Sequence, residues 1–313
     1  MRIAVTGASG FVGGAVCREA RVRGWEVHAF GRRAQVDPGH VGGAPYRSWD
    51  LLGRWPERPE VDAVVHCAGS VTDWGRPAEI WAANVAGTRN AVRAFTGARF
   101  VHVSTASVYD PFRPTVMATE DQAPVTRYVN AYGASKAAAE GAAARAPGGA
   151  VVLRPHAVYG RGDTTLLPRV LGAVRGGRLL AVGDGRQRIS LTSVGNLVRA
   201  CLLAAAAPAT GAPLRGVFNV TDAEPVVLDD ALRAILKERD IAATPYYLPL
   251  RLVEPAAAVT ETAFRLLGRA DPPRLTRYAA GHLAVERTLD ITAAREVLGY
   301  RPEATSFAGA AGW

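Results

Sequence analysis

The apolar residues of this chain fall into short solid runs, separated by stretches with helical spacing. RIAVT at 2–6, WEVHAF at 25–30, VDAVVHCAG at 61–69 and ARFVHV at 98–103 are too short for ordinary buried helices. Their β-branched content and their small or glycine ends predict strands covered on both faces. Between them, FVGGAVCREARVRG at 11–24 repeats apolar residues about a turn apart and closes on Gly24. NVAGTRNAVRAF at 84–95 and AYGASKAAAEGAAARA at 131–146 read as further helices. Strand and helix therefore alternate, which predicts a parallel sheet with helices on both faces and ligands at the carboxyl ends of the strands. CAG at 67–69, VSTAS at 103–107 and LRPHAVYG at 153–160 all end strands and are expected to converge on one crevice. Late in the chain, 246–268 predicts a long amphipathic helix with Leu252, Val253, Val259, Phe264 and Leu267. Such a helix either roofs an apolar pocket or simply covers the core.

Composition narrows the class. With 313 residues, 49% hydrophobic and 21% charged, the chain can bury a sizeable core, as one large domain or two smaller ones, and is not disordered. The formal charge of +9 is spread over scattered arginines, with no basic run of the kind a nucleic-acid patch needs. It favours an anionic cofactor or substrate, with no nucleic-acid partner. Cys17, Cys67 and Cys201 lie far apart in apolar contexts, which implies buried thiols in a reducing compartment, no disulfides and no metal site. The N-terminal stretch lacks the layout of a signal peptide, and ACLLAAAAPA at 200–209 is too short to span a bilayer. The expectation is a cytoplasmic protein without a membrane span, with peripheral contact left open.

The first strand-to-helix turn carries chemistry. Gly7, Gly10 and Gly13 in GASGFVG follow a strand and open a helix. The first glycine permits the turn, the second lets backbone approach a pyrophosphate, and the third lets helix pack on strand. The helix N-terminus would hold the pyrophosphate, so Ser9, Phe11 and Val12 join the glycines as candidate cofactor residues. At the end of the second strand stands AFGRRAQ, with no acid before Asp37. An acid there would suit the ribose hydroxyls of NAD, whereas Arg32 and Arg33 suit a 2′-phosphate. NADP(H) is therefore favoured, with NAD(H) possible.

One residue choice stands out. Of 37 basic residues only Lys136 and Lys237 are lysines. A lysine is a compact point charge on a flexible stem where an arginine is a broad planar fork, so a site that needs a small ammonium resists the exchange. Lys136 lies four residues after Tyr132, on the same face of the predicted helix. A neighbouring ammonium is expected to lower the phenol's pKa and so fit it for proton exchange with a carbonyl oxygen.

TGASGFVGG, HCAG, Asn84 in NVAGT, VSTASVY, YGASK and LRPHAVYGRGD, in this order, resemble the extended short-chain dehydrogenase/reductase family. The resemblance implies an α/β fold: a Rossmann-type doubly wound parallel sheet with a smaller C-terminal substrate domain. It implies a dinucleotide-binding domain from 1–165 and 188–221 and a substrate domain from 166–187 and 222–313. It also implies Thr105, Tyr132 and Lys136 as the catalytic set, with Ser104 and Ser107 as rivals to Thr105. Asn84 is then either an active-site asparagine or the cap of its helix. Asp50 and Leu51 would lie near the adenine, Tyr132 and Lys136 would also contact the cofactor, the amine at its ribose, and Cys67, Ala68, Gly69, Pro155, His156 and Val158 would border it.

The branch of the family is read from GDGRQRISLTSVGN at 183–196. Members that act on nucleotide sugars tend to place an arginine, to grip the diphosphate, where this chain has Ile189, followed by Ser190 in place of an aspartate. An apolar residue there suits a substrate without a diphosphate. The segments from 153 and from 271 onward resemble the 3β-hydroxysteroid dehydrogenase branch and, within it, reductases of 2-alkyl-3-ketoalkanoates. That implies an NADP(H)-dependent oxidoreductase interconverting a ketone and a secondary alcohol on a hydrophobic substrate, with Asp73, Trp74, Thr105, His156 and Ile189 as candidate substrate contacts. The alternatives are a nucleotide-sugar epimerase, dehydratase or reductase, and a non-catalytic NADP(H)-sensing protein. The alanine-rich helix at 131–146 suggests a homodimer.

Overall fold

A computed structural model describes residues 1–55, 58–208, 213–269, 271–273, 276–282 and 284–313. Seven parallel strands form the main sheet: β1 (Arg2–Thr6), β2 (Glu26–Gly31), β3 (Tyr46–Ser48), β4 (Ala63–His66), β5 (Arg99–Val103), β6 (Ala150–Pro155) and β7 (Gly216–Val220). Their spatial order is β7-β6-β5-β4-β1-β2-β3, so the chain winds outward in both directions from the β1/β4 junction. That junction is the switch point at which connections diverge and leave a crevice.

The helices that matter to the site are α1 (Phe11–Val22), α2 (Gly87–Ala94), α3 (Ala131–Ala143), α4 (Val194–Ala206), α5 (Leu228–Glu238), α6 (Leu250–Leu266) and α7 (Arg277–His282). Side chains alternate across a strand, and the two sheet faces show it. Ile3, Val5, Val65 and Val101 face α1 and α4 in a cluster with Val16, Cys17, Leu197 and Cys201. Ala4, Val64 and Phe100 face the other way, onto Phe30, Ala91, Val92 and Ala143. Both faces are apolar because both are covered, which is why the strands read as solid runs. All three cysteines are free, Cys17 and Cys201 fully buried.

A third cluster gathers Tyr159, Leu179, Ile189, Leu191, Leu228, Leu232 and Phe307. It unites α5 with the strands Arg178–Val182 and Thr244–Leu248, which pair in parallel. On α3, Ala139, Ala142 and Ala143 are buried within the chain, so much of the alanine surface that suggested a dimer face is used internally. The amphipathic segment is helical as predicted, but its apolar residues do not share one covering face. Val253 and Ala257 are buried, whereas Leu252, Val259 and Leu267 are 64%, 71% and 70% exposed. Residues 252 and 259 recur with the heptad, one face away from 253 and 257. Among the described residues no helix is long and apolar enough to cross a membrane.

Candidate active site

The glycine loop is built for close backbone approach. Gly7 adopts φ +72, and a Cβ there would lie 2.6 Å from the Ala68 nitrogen at the end of β4. A Cβ on Gly13 would lie 2.3 Å from the Gly7 carbonyl oxygen, so helix and turn interlock only without side chains. Gly10 caps α1 and its amide donates to the Gly7 carbonyl at 2.9 Å. Val12 packs on the core beneath the turn, and Phe11 faces Gly162. These residues fit a dinucleotide: an open helix N-terminus, a bare backbone and the ends of β1 and β4 beside it. Cys67, Ala68 and Gly69 follow β4, and a Cβ on Gly69 would lie 2.7 Å from the Asn84 amide oxygen.

At the end of β2 the strand closes on Gly31, which has no room for a side chain because Ser9 Oγ and the Tyr46 hydroxyl lie against it. The Tyr46 hydroxyl donates to the Arg33 carbonyl at 2.7 Å. That bond fixes the backbone, while both arginine side chains are exposed and join no ion pair among the described residues. His40 adds a third basic residue nearby, with Nε2 3.2 Å from the Gly10 carbonyl oxygen. Asp50 spends one oxygen on the Leu52 amide at 3.0 Å, and Leu51 is buried beside Phe30 and Trp49.

On the other side of the crevice, Asn130 opens α3 by accepting from the Gly133 amide at 3.1 Å. This cap sets the first turn, and Tyr132 and Lys136 follow on one buried face. The Tyr132 phenol lies next to the Thr105 hydroxyl, which favours its ionised form. Thr105 stands just past the end of β5 and accepts from the Ser107 amide at 3.1 Å. Of its two rivals, Ser104 is committed elsewhere, donating to the Glu140 carboxylate at 2.6 Å. Ser107 stays in the site, 3.2 Å from Thr105 Oγ1.

Burial raises the pKa of Tyr132, and the Thr105 hydroxyl and Arg169 oppose that rise. The Lys136 amine donates to the Val103 carbonyl at 2.7 Å, close to the His102 imidazole. Burial pulls its pKa down to about 8, against the pull of the Glu140 carboxylate. The two catalytic candidates thus share a helix face but serve different neighbours.

Asn84 does not cap its helix. It lies in a π-helical turn, Ala82–Ala86, accepts from the Ser70 amide at 2.7 Å and donates to Ser135 Oγ at 2.8 Å. It therefore ties the loop after β4 to the helix of Tyr132, and the bulge is what turns its side chain inward.

A cavity of about 190 Å³ lies beside this group, lined by Ser107, Asn130, His156, Tyr278 and Arg287 among others. His156 is buried there, its Nδ1 against the Ser190 carbonyl, and burial lowers its pKa to about 4, so it is neutral. Pro155 ends β6, and Val158 begins a short strand that pairs with Thr192. Of the sequence-based substrate candidates, Ile189 lies in the core, and Asp73 and Trp74 border the C-terminal segment beside the phenols of Tyr132 and Tyr278. Ile189 is 1% exposed in the third core cluster, and Arg287 on the neighbouring strand lines the cavity. Asp73 and Trp74 hold the C-terminal segment: Asp73 accepts from Arg169 at 2.6 Å and Thr276 at 2.7 Å, and the Trp74 indole donates to the Arg269 carbonyl at 3.3 Å.

That latch positions a residue the sequence reading missed. Tyr278, two residues after Thr276, brings its hydroxyl 2.7 Å from Ser107 Oγ and its ring edge-on to Tyr132 at 6.3 Å. No local motif marks it; only the contact between the loop after β4 and the α6–α7 segment does. Among the described residues no group of acids, histidines or cysteines could hold a metal ion.

The family model described as NAD dependent epimerase/dehydratase matches residues 3–221. A 2-alkyl-3-oxoalkanoate reductase of Stenotrophomonas maltophilia is 32% identical over 97% of this chain and 95% of its own length. A 4-hydroxy-2-methyl-3-oxo-4-farnesyl-3,4-dihydroquinoline-1-oxide ketoreductase of Stigmatella aurantiaca is 32% identical over 97% of this chain and 93% of its own. Among solved structures, MoeE5 in complex with UDP-glucose and NAD has a TM-score of 0.71 at 25% identity, covering 98% of this chain and 94% of that one. A UDP-galactose 4-epimerase shares the fold with a TM-score of 0.74 at 19% identity, covering 100% and 97%.

Proposed function

From its membership of the NAD-dependent epimerase/dehydratase family, to which this chain belongs, we propose that it interconverts a ketone and a secondary alcohol on a hydrophobic substrate. Within that family it is an NAD(P)-dependent oxidoreductase of the extended short-chain dehydrogenase/reductase type. The observation that carries the proposal is the Tyr132 phenol next to Thr105 beside the cavity, with Lys136 buried one turn further along α3. Thr105 holds the substrate oxygen, and Tyr132 gives it a proton as the carbonyl becomes an alcohol, or takes that proton in the reverse direction. The glycine loop and Lys136 would hold a nicotinamide dinucleotide, which would supply the hydride chemistry that no side chain offers. Asn84 and Ser135 keep α3 in register with the loop after β4 while this happens.

The substrate class rests on two supports: relatives named as reductases of 2-alkyl-3-oxoalkanoates and of a ketone on a farnesylated ring, and an apolar Ile189 in place of a diphosphate-gripping arginine. A long-chain β-keto acid or a steroid-like ketone suits both. A nucleotide sugar is the second reading, favoured by Arg277 and Arg287 at the cavity wall and by the UDP-sugar complex of a structural neighbour. The test follows dinucleotide oxidation over a panel of β-keto acids, steroid ketones and nucleotide sugars. Turnover of a β-keto acid or steroid ketone supports the proposal, while stabilisation by a UDP-sugar without any ketone turnover moves the assignment to the second reading.

The cofactor we propose is NADP(H), because Arg32 and Arg33 stand exposed after β2 where no acid faces the ribose. A charge-assisted hydrogen bond is worth about 1.5–3 kcal/mol. Replacing both arginines by serine should therefore raise KM for NADPH at least about tenfold and leave KM for NADH nearly unchanged. Equal losses with both cofactors would show that the arginines do not read the 2′-phosphate.

A further inference from the structure

Behind Lys136 lies a buried polar cluster that the proposed reaction does not use. His66 on β4 and His102 on β5 stack with ring centroids 5.3 Å apart and an interplanar angle of 23°. Both are essentially unexposed. The groups around the Lys136 amine are these two imidazoles and the Cys67 thiol from the β4 side, Glu140 on its own helix, and Arg154 on β6, which is paired with Glu140. Tyr132 lies one turn back along the helix.

The tautomer of His66 follows from its partners. Thr88 Oγ1 gives its proton to the Asn84 carbonyl at 2.6 Å, so at 3.0 Å from His66 Nε2 it accepts. His66 therefore carries its hydrogen on Nε2, and its Nδ1 accepts from the Thr6 hydroxyl at 2.7 Å. Every polar atom of that ring is accounted for.

His102 is different. Its Nε2 faces the Lys136 amine at 3.5 Å, and an ammonium only donates, so Nε2 is the bare nitrogen. Its hydrogen then lies on Nδ1, which is buried and has no partner among the described residues. A buried donor left without a partner destabilises the fold, and a phenylalanine or valine would fill a covered strand position without that cost. The imidazole is retained where its one bare nitrogen meets the one buried lysine.

We propose that His102 is a positioning residue for Lys136: its Nε2 accepts from the ammonium and, with the Val103 carbonyl, fixes where the amine points and keeps it charged. A hydrogen bond accepted from the charged form favours that form, so losing the acceptor lowers the amine's pKa. The assignment rests on Lys136 being the cation of the proposed site. Its test reads the amine directly, without substrate or cofactor, so the failure of one does not imply failure of the other.

The chain has only two lysines, and Lys237 is exposed. Protein made with lysine carrying carbon-13 at Cε therefore gives two signals, one buried and one an internal reference. In the wild type the Lys136 signal should titrate at about 8. In His102→Phe its midpoint should fall by about one unit, with Lys237 unmoved, while His102→Gln, which keeps an acceptor, should stay near the wild type. An unmoved Lys136 midpoint in the Phe variant overturns the proposal. Nitrogen-15 shifts of the histidines in the unmutated protein give a second reading independent of how the variants fold: hydrogen on Nδ1 of His102 supports it, and hydrogen on Nε2 overturns it.

Discussion

Tyr132→Phe is expected to lower kcat/KM for ketone reduction by about 10²–10⁴-fold, the usual worth of a positioned general acid. The substitution removes one oxygen and little else. The ring is 9% exposed and packs edge-on to Tyr278, contacts a phenylalanine keeps. The glycine loop, the end of β2 and Lys136 are left untouched, so cofactor affinity, followed by quenching of protein fluorescence, should change little. Thr105 keeps its bonds to Ser107. Turnover within a few-fold of the wild type would remove the Tyr132 phenol from the reaction and point to Tyr278, the second phenol at the cavity, as the proton donor.

Arg154→Leu is expected to destabilise the fold by about 3–5 kcal/mol, read as a lower urea midpoint. Arg154 is 1% exposed and makes a two-pronged bond to Glu140, with Nε and Nη2 at 3.0 and 2.8 Å from the carboxylate. It also donates to the carbonyls of Glu120 and Ala123 and to the Tyr109 hydroxyl. Removing it strands a carboxylate inside the protein and frees the 120–123 turn. The pair as such is weak support for stability, since desolvation offsets most of the attraction. Replacing Arg154 and Glu140 together by leucine and glutamine should therefore recover much of the loss. A single-variant loss below about 1 kcal/mol would mean that water reaches Glu140 freely, and the buried network around α3 would need another account.

Several parts of this molecule could be read in one dimension because the cause is local. The solid apolar strands report a sheet covered on both faces, and Ile3, Val5 and Ala4 alternate between those faces as that requires. The glycine turn is legible because Gly7 and Gly13 tolerate no Cβ at all. Tyr132 and Lys136 share a face because four residues make about one helical turn. What the sequence leaves open has one origin as well. Whether Ile189 faces a site or the core depends on how the strands around it pack, and it lies 1% exposed in the third cluster. The partners of Asp73 and Trp74 come from residues 96 to 203 positions later.

The sequence by itself determined the alternation of strands and helices, the dinucleotide turn and the pairing of a phenol with an amine, since each depends on spacings of a few residues along one element. Only the tertiary structure decided what those groups touch. It turned the Lys136 amine toward Val103 and His102, brought Tyr278 against Ser107, and sent Asn84 across to Ser135. Those contacts join residues 33, 34, 51 and 171 positions apart. No periodicity encodes them; they arise where separately wound elements meet at the carboxyl edge of the sheet.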